Sequence, residues 1–342
     1  MPAFGLDIGT TSIKAVQLDK QGENFSLLAA GITPTPTRGM ETENQKDLEA
    51  VAVAVKKLIT DTKITSRDVA ISLPESKVYT RLISLPLLTD EEVSSAIAWQ
   101  AEPYIPIPVT EASLDYQIVG RTEAVQGKPG KTDVLLIAAP KALIKQYLDV
   151  CSIAGLNVVQ VMSELLALTS ALATDKQTVL LADIGSTSTD FAIVRSGQLL
   201  VSRSVATGGN VLTRAVSAGL SVDTQRAEEY KKSYGLNASF LEGRVKASVE
   251  PAFRVIVEEA KKTIQYYRSE IGRDDQVSSM ILSGGTAGIP DSTSYIANAL
   301  GIEVLVGDPF AGIAKNEQTA KSLASWAPLY GISVGLAKYS YT

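Results

Sequence analysis

Histidine is absent from this 342-residue chain, and cysteine occurs once, as Cys151. The first absence removes the commonest general base and the commonest metal ligand, so His-based triads and zinc sites are excluded. The second excludes a disulfide framework and fits a reducing compartment. A basic surplus is missing too. The net charge of −5 leaves nothing to neutralise phosphate backbones, so no nucleic-acid partner is expected. Long apolar runs are also lacking: stretches such as Val134–Pro140 are strand-sized, too short to span a bilayer. The start, Met1–Asp7, meets an acid at once and has no basic region of a signal peptide. A cytoplasmic protein is expected, without direct membrane insertion, reaching the inner face of the membrane through a partner.

What the chain does contain is a repeat. Residues 7–12 read D-I-G-T-T-S and residues 183–188 read D-I-G-S-T-S, 176 positions apart. Apolar runs enter each motif (Phe4–Ile8, Val179–Ile184) and β-rich runs leave it (Ile13–Leu18, Phe191–Val194). A third β-rich stretch follows in both copies, Phe25–Ile32 and Leu199–Val205. Two copies of one supersecondary unit are the simplest account.

Each copy then alternates helix and strand, which predicts two α/β halves with largely parallel sheets. The first half has helices over 47–62, 141–155 and 164–174 and strands over 69–73 and 156–161. The second has helices over 211–220 and 292–300 and strands over 280–282 and 302–306. Residues 77–139 interrupt the first half in the order strand, helix, strand, turn (126–131), strand. Its helix opens with a Thr89-x-x-Glu92 capping box. Residues 221–273 interrupt the second half and read as helical, with main helices over 227–234 and 250–271.

The repeated D-x-G-[TS]-x-S turn makes sense as half of a phosphate clamp. Gly9 and Gly185 permit close approach of the backbone, and Thr10, Thr11, Ser12, Ser186, Thr187 and Ser188 supply hydroxyl and amide donors. Asp7 and Asp183 are placed to hold Mg²⁺ through water. Lys14 can return over the phosphates, whereas its counterpart in the second copy is Asp190. A third glycine-rich element, Ser283-Gly284-Gly285-Thr286, follows an apolar strand and lets the backbone approach a flat ring or a phosphate.

Together these three elements resemble the nucleotide motifs of the actin, sugar kinase and DnaK-type chaperone superfamily. The resemblance implies an actin-like fold of two ribonuclease-H-like halves closing on ATP and Mg²⁺. It casts Glu258 and Lys261 as adenosine-side contacts and Glu164 as the residue that orients an attacking water. With no histidine and one such acid, slow ATP turnover at most is expected.

The insertion narrows the family. Its β-α-β-β order, Leu85-Pro86, Ala96–Pro106, Leu114–Gln117 and Leu135–Lys141, followed by Ala154–Leu156 and Ala227–Lys231, resembles FtsA-related proteins and more narrowly the PilM family of type IV pilus assembly. That resemblance implies a first half of 1–76, 140–178 and 322–342, an FtsA-like insertion over 77–139, a second half of 179–212 and 277–321, and a helical subdomain over 213–276. It further implies an ATP-binding adaptor that captures the cytoplasmic N-terminal segment of a PilN-like membrane protein between the first half and the insertion, near strand 78–85. Pilus motor ATPases and self-association into a ring or filament are the other implied partners. An FtsA-like membrane-associated filament former is the alternative, and a phosphotransferase the third reading. The apolar end Ala327–Thr342 has no basic amphipathic tail, which favours the PilM-type reading.

Overall fold

The structure is a computed structural model that describes residues 2–341 apart from 37, 126, 128, 174–176, 273 and 274. The expected turn over 126–131, the helix end at 174 and the insertion end at 273 therefore fall partly outside the described residues. So do the outermost residues of the expected segments 1–76 and 322–342.

The chain opens with an antiparallel meander, β1 (Phe4–Ile8), β2 (Ser12–Gln21) and β3 (Asn24–Pro34). Helix α1 (Gln45–Thr62) follows, capped by the Asn44 side chain, which accepts from the Lys46 N–H, and ended by Lys63 in the left-handed region. Its buried stripe, from Leu48 through Val51 and Val55 to Ile59, covers the sheet and delivers β4 (Asp68–Leu73) parallel to β1. A 3₁₀ turn over Glu75–Lys77 hands the chain to the insertion: β5 (Tyr79–Pro86), α2 (Asp90–Ala101), β6 (Ala112–Thr122) and β7 (Lys131–Pro140). Both capping-box hydrogen bonds of Thr89 and Glu92 are present at the start of α2. These three strands pair in the order β5-β7-β6 around their own small core, including Ile83, Val93, Ile97 and Val134.

The chain returns through α3 (Lys141–Ile153), β8 (Asn157–Ser163) and α4 (Glu164–Leu172), then enters a second meander, β9 (Thr178–Ile184), β10 (Thr189–Arg195) and β11 (Gln198–Val205). Helices α5 (Gly209–Leu220), α6 (Thr224–Tyr234) and α7 (Arg244–Glu270) precede β12 (Ser279–Ser283), α8 (Ser292–Leu300) and β13 (Glu303–Val306). The remainder is β14 (Ile313–Ala314), α9 (Glu317–Leu323) and α10 (Gly331–Tyr339).

The duplication is visible in topology. One sheet runs β14-β3-β2-β1-β4-β8 and the other β11-β10-β9-β12-β13. In both, an antiparallel hairpin pair is followed by two parallel strands on the same side.

One element differs from the sequence expectation. Helix α7 begins at Arg244 rather than at 250 and runs through Pro251. Its buried stripe, Val245, Val249, Phe253, Ile256 and Ala260, offsets the missing N–H, because burying each large side chain is worth about 2 kcal/mol. The apolar C-terminal end is the helix α10, buried along almost its whole length. It lies backbone-close to its neighbours: a Cβ on Gly5 would stand 2.0 Å from the Ser333 carbonyl, and one on Gly335 would stand 1.7 Å from the Ala167 carbonyl of α4. Glycine at both positions is what lets α10 fit against β1 and α4.

Candidate functional site

The two D-x-G motifs fold into the same turn. Gly9 N–H donates to the Ser12 carbonyl at 3.1 Å, and Gly185 N–H to the Ser188 carbonyl at 3.0 Å. Strand register then places Asp7 opposite Lys14 across β1 and β2, and Asp183 opposite Asp190 across β9 and β10. The repeat is geometrically conserved and electrostatically broken: one pair is acid and base, the other acid and acid. Lys14 Nζ donates to Asp7 Oδ2 at 2.9 Å. Ser188 Oγ donates to Asp190 Oδ2 at 2.8 Å. Thr10, Thr11 and Thr187 form the exposed rim of the turns.

The third glycine-rich element closes on the second turn. Gly284 has φ +88°, and a Cβ there would lie 2.6 Å from the Ile184 carbonyl and 2.9 Å from Asp183 Oδ1. Thr286 N–H donates to the Ile184 carbonyl at 3.2 Å. The start of α5 grips the same turn, Gly209 N–H donating to the Gly185 carbonyl at 2.9 Å and Asn210 N–H to the Ser186 carbonyl at 2.8 Å. Thus Gly9–Lys14, Gly185–Ser188 and Gly284–Thr286 surround one junction between the two sheets.

Glu258 and Lys261 sit differently. Both lie on the exposed face of α7 and pair with each other at 2.9 Å, without a hydrogen bond to the glycine-rich elements among the described residues. A different acid–lysine pair packs against those elements. Lys231, 4% exposed, donates to Glu228 Oε2 at 2.6 Å, to Thr213 Oγ1 at 3.0 Å and to the Gly209 carbonyl at 3.3 Å. A Cβ on Gly209 would lie 2.7 Å from Thr286 Oγ1 and 3.2 Å from Lys231 Nζ. Burial opposes charge on both partners, and their hydrogen bond keeps the Glu228 carboxyl below its ordinary range. The signal was present in the sequence as Gly208-Gly209 and as Glu228-x-x-Lys231.

Asp7, Asp183 and Glu164 act on the single ammonium of Lys14 at the base of this junction, with Asp190 and Glu75 behind them. Asp7 is 1% exposed, and its Oδ1 is buried without a hydrogen bond; so is Asp190 Oδ1. Burial, then repulsion from Asp190, raises Asp183 to about 7, against the pull of Lys14. Burial raises Asp190 to about 6, with the nearby Ser204 and Ser188 hydroxyls partly offsetting it. Glu164, at the start of α4, is raised well above the usual carboxylate range by burial and then by the charges of Asp7, Asp190 and Asp183. Burial works against the charge of Lys14, but Asp7, Asp183 and Glu164 outweigh it and raise its pKa.

The fifth acid, Glu75, was not anticipated. It is 3% exposed and interlocks with Glu164: Glu75 N–H donates to Glu164 Oε2 at 3.1 Å, and Leu165 N–H to Glu75 Oε2 at 3.4 Å. Ser202 of β11 donates to Glu75 Oε1 from the other half.

A concavity of about 630 Å³ lies between the first half and the insertion, with Gly197 and Leu199 of the second half also lining it. Leu73, Val78, Met162, Ser163 and Leu166 form one wall, and Ser113–Gln117 of β6 with Ile137 and Ala139 of β7 form the other. The insertion strand that lines it is the edge strand β6. Of the expected strand 78–85 only Val78 does so, because β5 lies at the opposite edge, in contact with β11.

The architecture is the actin-like fold. MreB 5 of Spiroplasma citri, solved bound to AMPPNP, superposes with a TM-score of 0.54 at 16% identity, covering 98% of this chain and 94% of that one. The solved PilM-PilN type IV pilus biogenesis complex superposes more closely, with a TM-score of 0.85 at 24% identity over 100% of this chain and 99% of that one. Cell division protein FtsA of Enterococcus hirae is 24% identical over 343 residues, covering 88% of this chain and 76% of FtsA. The family model for type IV pilus assembly protein PilM matches residues 5–341, and the chain belongs to that family. Among the described residues no helix is long and apolar enough to cross a membrane.

Proposed function

We propose that this chain is an ATP-binding adaptor of type IV pilus assembly, holding Mg²⁺–ATP at the junction of its halves and a PilN-like peptide in the second cleft. The observation that carries the nucleotide reading is convergence: two identical turns and one S-G-G-T loop meet over a buried acidic cluster with unpartnered oxygens. Turn amides and hydroxyls of Thr10, Thr11, Ser12, Ser186 and Thr187 suit phosphate oxygens. Gly284–Thr286 and the Glu228–Lys231 pair suit the nucleoside side. The fold is shared with MreB 5 of Spiroplasma citri, solved with AMPPNP.

The donor set fits a hydrated magnesium ion. Orphaned carboxylate oxygens at Asp7 and Asp190 and mutual repulsion at Asp183 are relieved by a divalent charge. Among the described residues no three acidic groups converge into a direct ligand cage, and Mg²⁺ keeps most of its waters. When bound, the ion would screen phosphate charge. Asp7 and Asp183 would orient its water shell, and Glu164, held by the Glu75 N–H, would position a water. Only slow turnover is expected from that arrangement.

For the partner, the solved relative is a PilM-PilN complex, and the second cleft offers what an extended segment needs: the edge of β6 for backbone pairing beside apolar side chains. Tyr116→Ala removes an aromatic wall of that cleft. It should weaken binding of a synthetic peptide from the cytoplasmic N-terminus of the cognate PilN-type protein by roughly tenfold, or about 1.4 kcal/mol, measured by fluorescence anisotropy. Mg²⁺–ATP affinity should stay unchanged. Unaltered peptide affinity would move the partner site elsewhere, and failure of the wild type to bind Mg²⁺–ATP would end the nucleotide reading.

A further inference from the structure

Glu75 stands between the acidic cluster and the concavity beside β6. Its carboxylate is buried, has no cationic partner among the described residues, and is satisfied by donors from two different halves: the Leu165 N–H of α4 and the Ser202 hydroxyl of β11. Its own N–H holds Glu164 at 3.1 Å. Glu164 in turn feels Asp7, Asp190 and Asp183, so a change of charge in the acidic cluster bears first on the Glu164–Glu75 interlock.

The far side of the same interlock is the peptide cleft. Val78 N–H donates to the Glu75 carbonyl at 3.2 Å, and Val78 lines that cleft. Ser163, whose side chain caps α4 by accepting from the Leu166 N–H, lines it too. The next residue after Val78 begins β5 of the insertion. A carboxylate used only to cap α4 would need the Leu165 N–H alone. The Ser202 bond to its carboxylate and the Glu75 N–H bond to Glu164 are additional, and through this one residue they tie β11 of the other sheet to the start of α4.

We infer that Glu75 is a positioning residue that couples occupancy of the nucleotide cleft to the shape of the peptide cleft, through Glu164 and the start of α4 on one side and Val78 on the other. This rests on the function proposed above. Coupling between two sites is reciprocal and is measured as a ratio of affinities, which a purely structural role would not move.

The test uses the full chain and a fluorescein-labelled synthetic peptide from the cytoplasmic N-terminus of the cognate PilN-type protein. Peptide affinity is measured without nucleotide, with Mg²⁺–ADP and with Mg²⁺–AMPPNP. The wild type should show a difference between nucleotide states on the order of tenfold. Glu75→Gln keeps the side chain's size and one acceptor; it should leave each separate affinity near wild type while the dependence of one on the other disappears. Ser202→Ala, which leaves the α4 cap intact, should lose the same dependence and carries the test if Glu75→Gln does not fold. A nucleotide-dependent ratio that survives in Ser202→Ala or in a folded Glu75→Gln overturns the proposal. So does a wild type that binds both ligands independently, an outcome that leaves the adaptor reading standing. A wild type that binds neither nucleotide removes both.

Discussion

The pair Asp183 and Asp190 should make the free protein less stable as pH rises, and Asp183→Asn should relieve this. The two acids face each other across β9 and β10, and Asp183 is raised from 3.8 to about 7 by burial and then by Asp190. A native carboxyl that holds its proton more tightly than the unfolded one stabilises the fold fully below the unfolded value. That contribution is lost as pH climbs through the native value, so the relevant window is about pH 4 to 7. Each pH unit across the window is worth about 1.4 kcal/mol, which sets a ceiling of about 4 kcal/mol. Asp183 is only partly enclosed, and water at its open side reduces the expected effect to about 2 kcal/mol. Asparagine keeps the shape and removes the charge. Urea unfolding without magnesium or nucleotide should therefore find Asp183→Asn more stable than wild type by about 2 kcal/mol at pH 8, and the two nearly equal at pH 4.5. Comparing the variant with wild type at each pH cancels titrations elsewhere in the chain. An equal difference at both pH values, or a variant less stable at pH 8, would refute the claim that a charged Asp183, buried beside Asp190, destabilises the free protein.

Asp7→Asn keeps the volume beside Lys14 but removes the charge the proposed hydrated cation would feel; Mg²⁺–ATP affinity by calorimetry should fall at least about tenfold with the fold retained, and unchanged affinity would remove Asp7 from the clamp. Gly335→Val forces a side chain into the Ala167 carbonyl, whose oxygen lies 1.7 Å from the nearest possible Cβ. The loss should reach about 3 kcal/mol or more in urea unfolding, whereas Gly120→Ala, which meets nothing within 4 Å, should unfold like wild type; similar curves for both variants would mean α10 is not clamped.

The turns of the candidate site were legible because their geometry is local. A D-x-G turn needs glycine at one position, and its recurrence after 176 residues exposes the duplication that the two sheets display in full. The capping box of α2 was legible for the same reason. Features that depend on which surfaces meet were not. Glu258-x-x-Lys261 and Glu228-x-x-Lys231 are equivalent as sequence, an acid and a lysine one helical turn apart; only packing puts the second pair against Gly209 and the first in solvent. Nothing local in Pro74-Glu75-Ser76-Lys77 marks Glu75 as buried; the approach of β11 does that. The concavity between the first half and the insertion runs along β6 rather than β5, because alternation fixes the two faces of a strand but not which edge of its sheet stays free.

The broken symmetry at Lys14 and Asp190 bears on what the site selects. Had both halves kept an acid opposite a lysine, the junction would carry two neutral pairs and two cations able to face a bare polyphosphate. The second lysine is instead an aspartate, leaving the Lys14 ammonium with Asp7, Glu164, Asp183 and Asp190 as the charged groups of the junction. Triphosphate alone would bring negative charge into a pocket that already raises its own carboxyls toward protonation. A metal-complexed triphosphate brings its counter-charge with it and converts that repulsion into attraction. The substitution that makes the empty junction electrostatically costly is thus the one that favours the magnesium complex over free nucleotide in the proposed function. Asp190 also lies opposite Asp183 in register and near Glu75, so the charge proposed to select the ligand acts on the residue proposed to carry its state to the concavity beside β6.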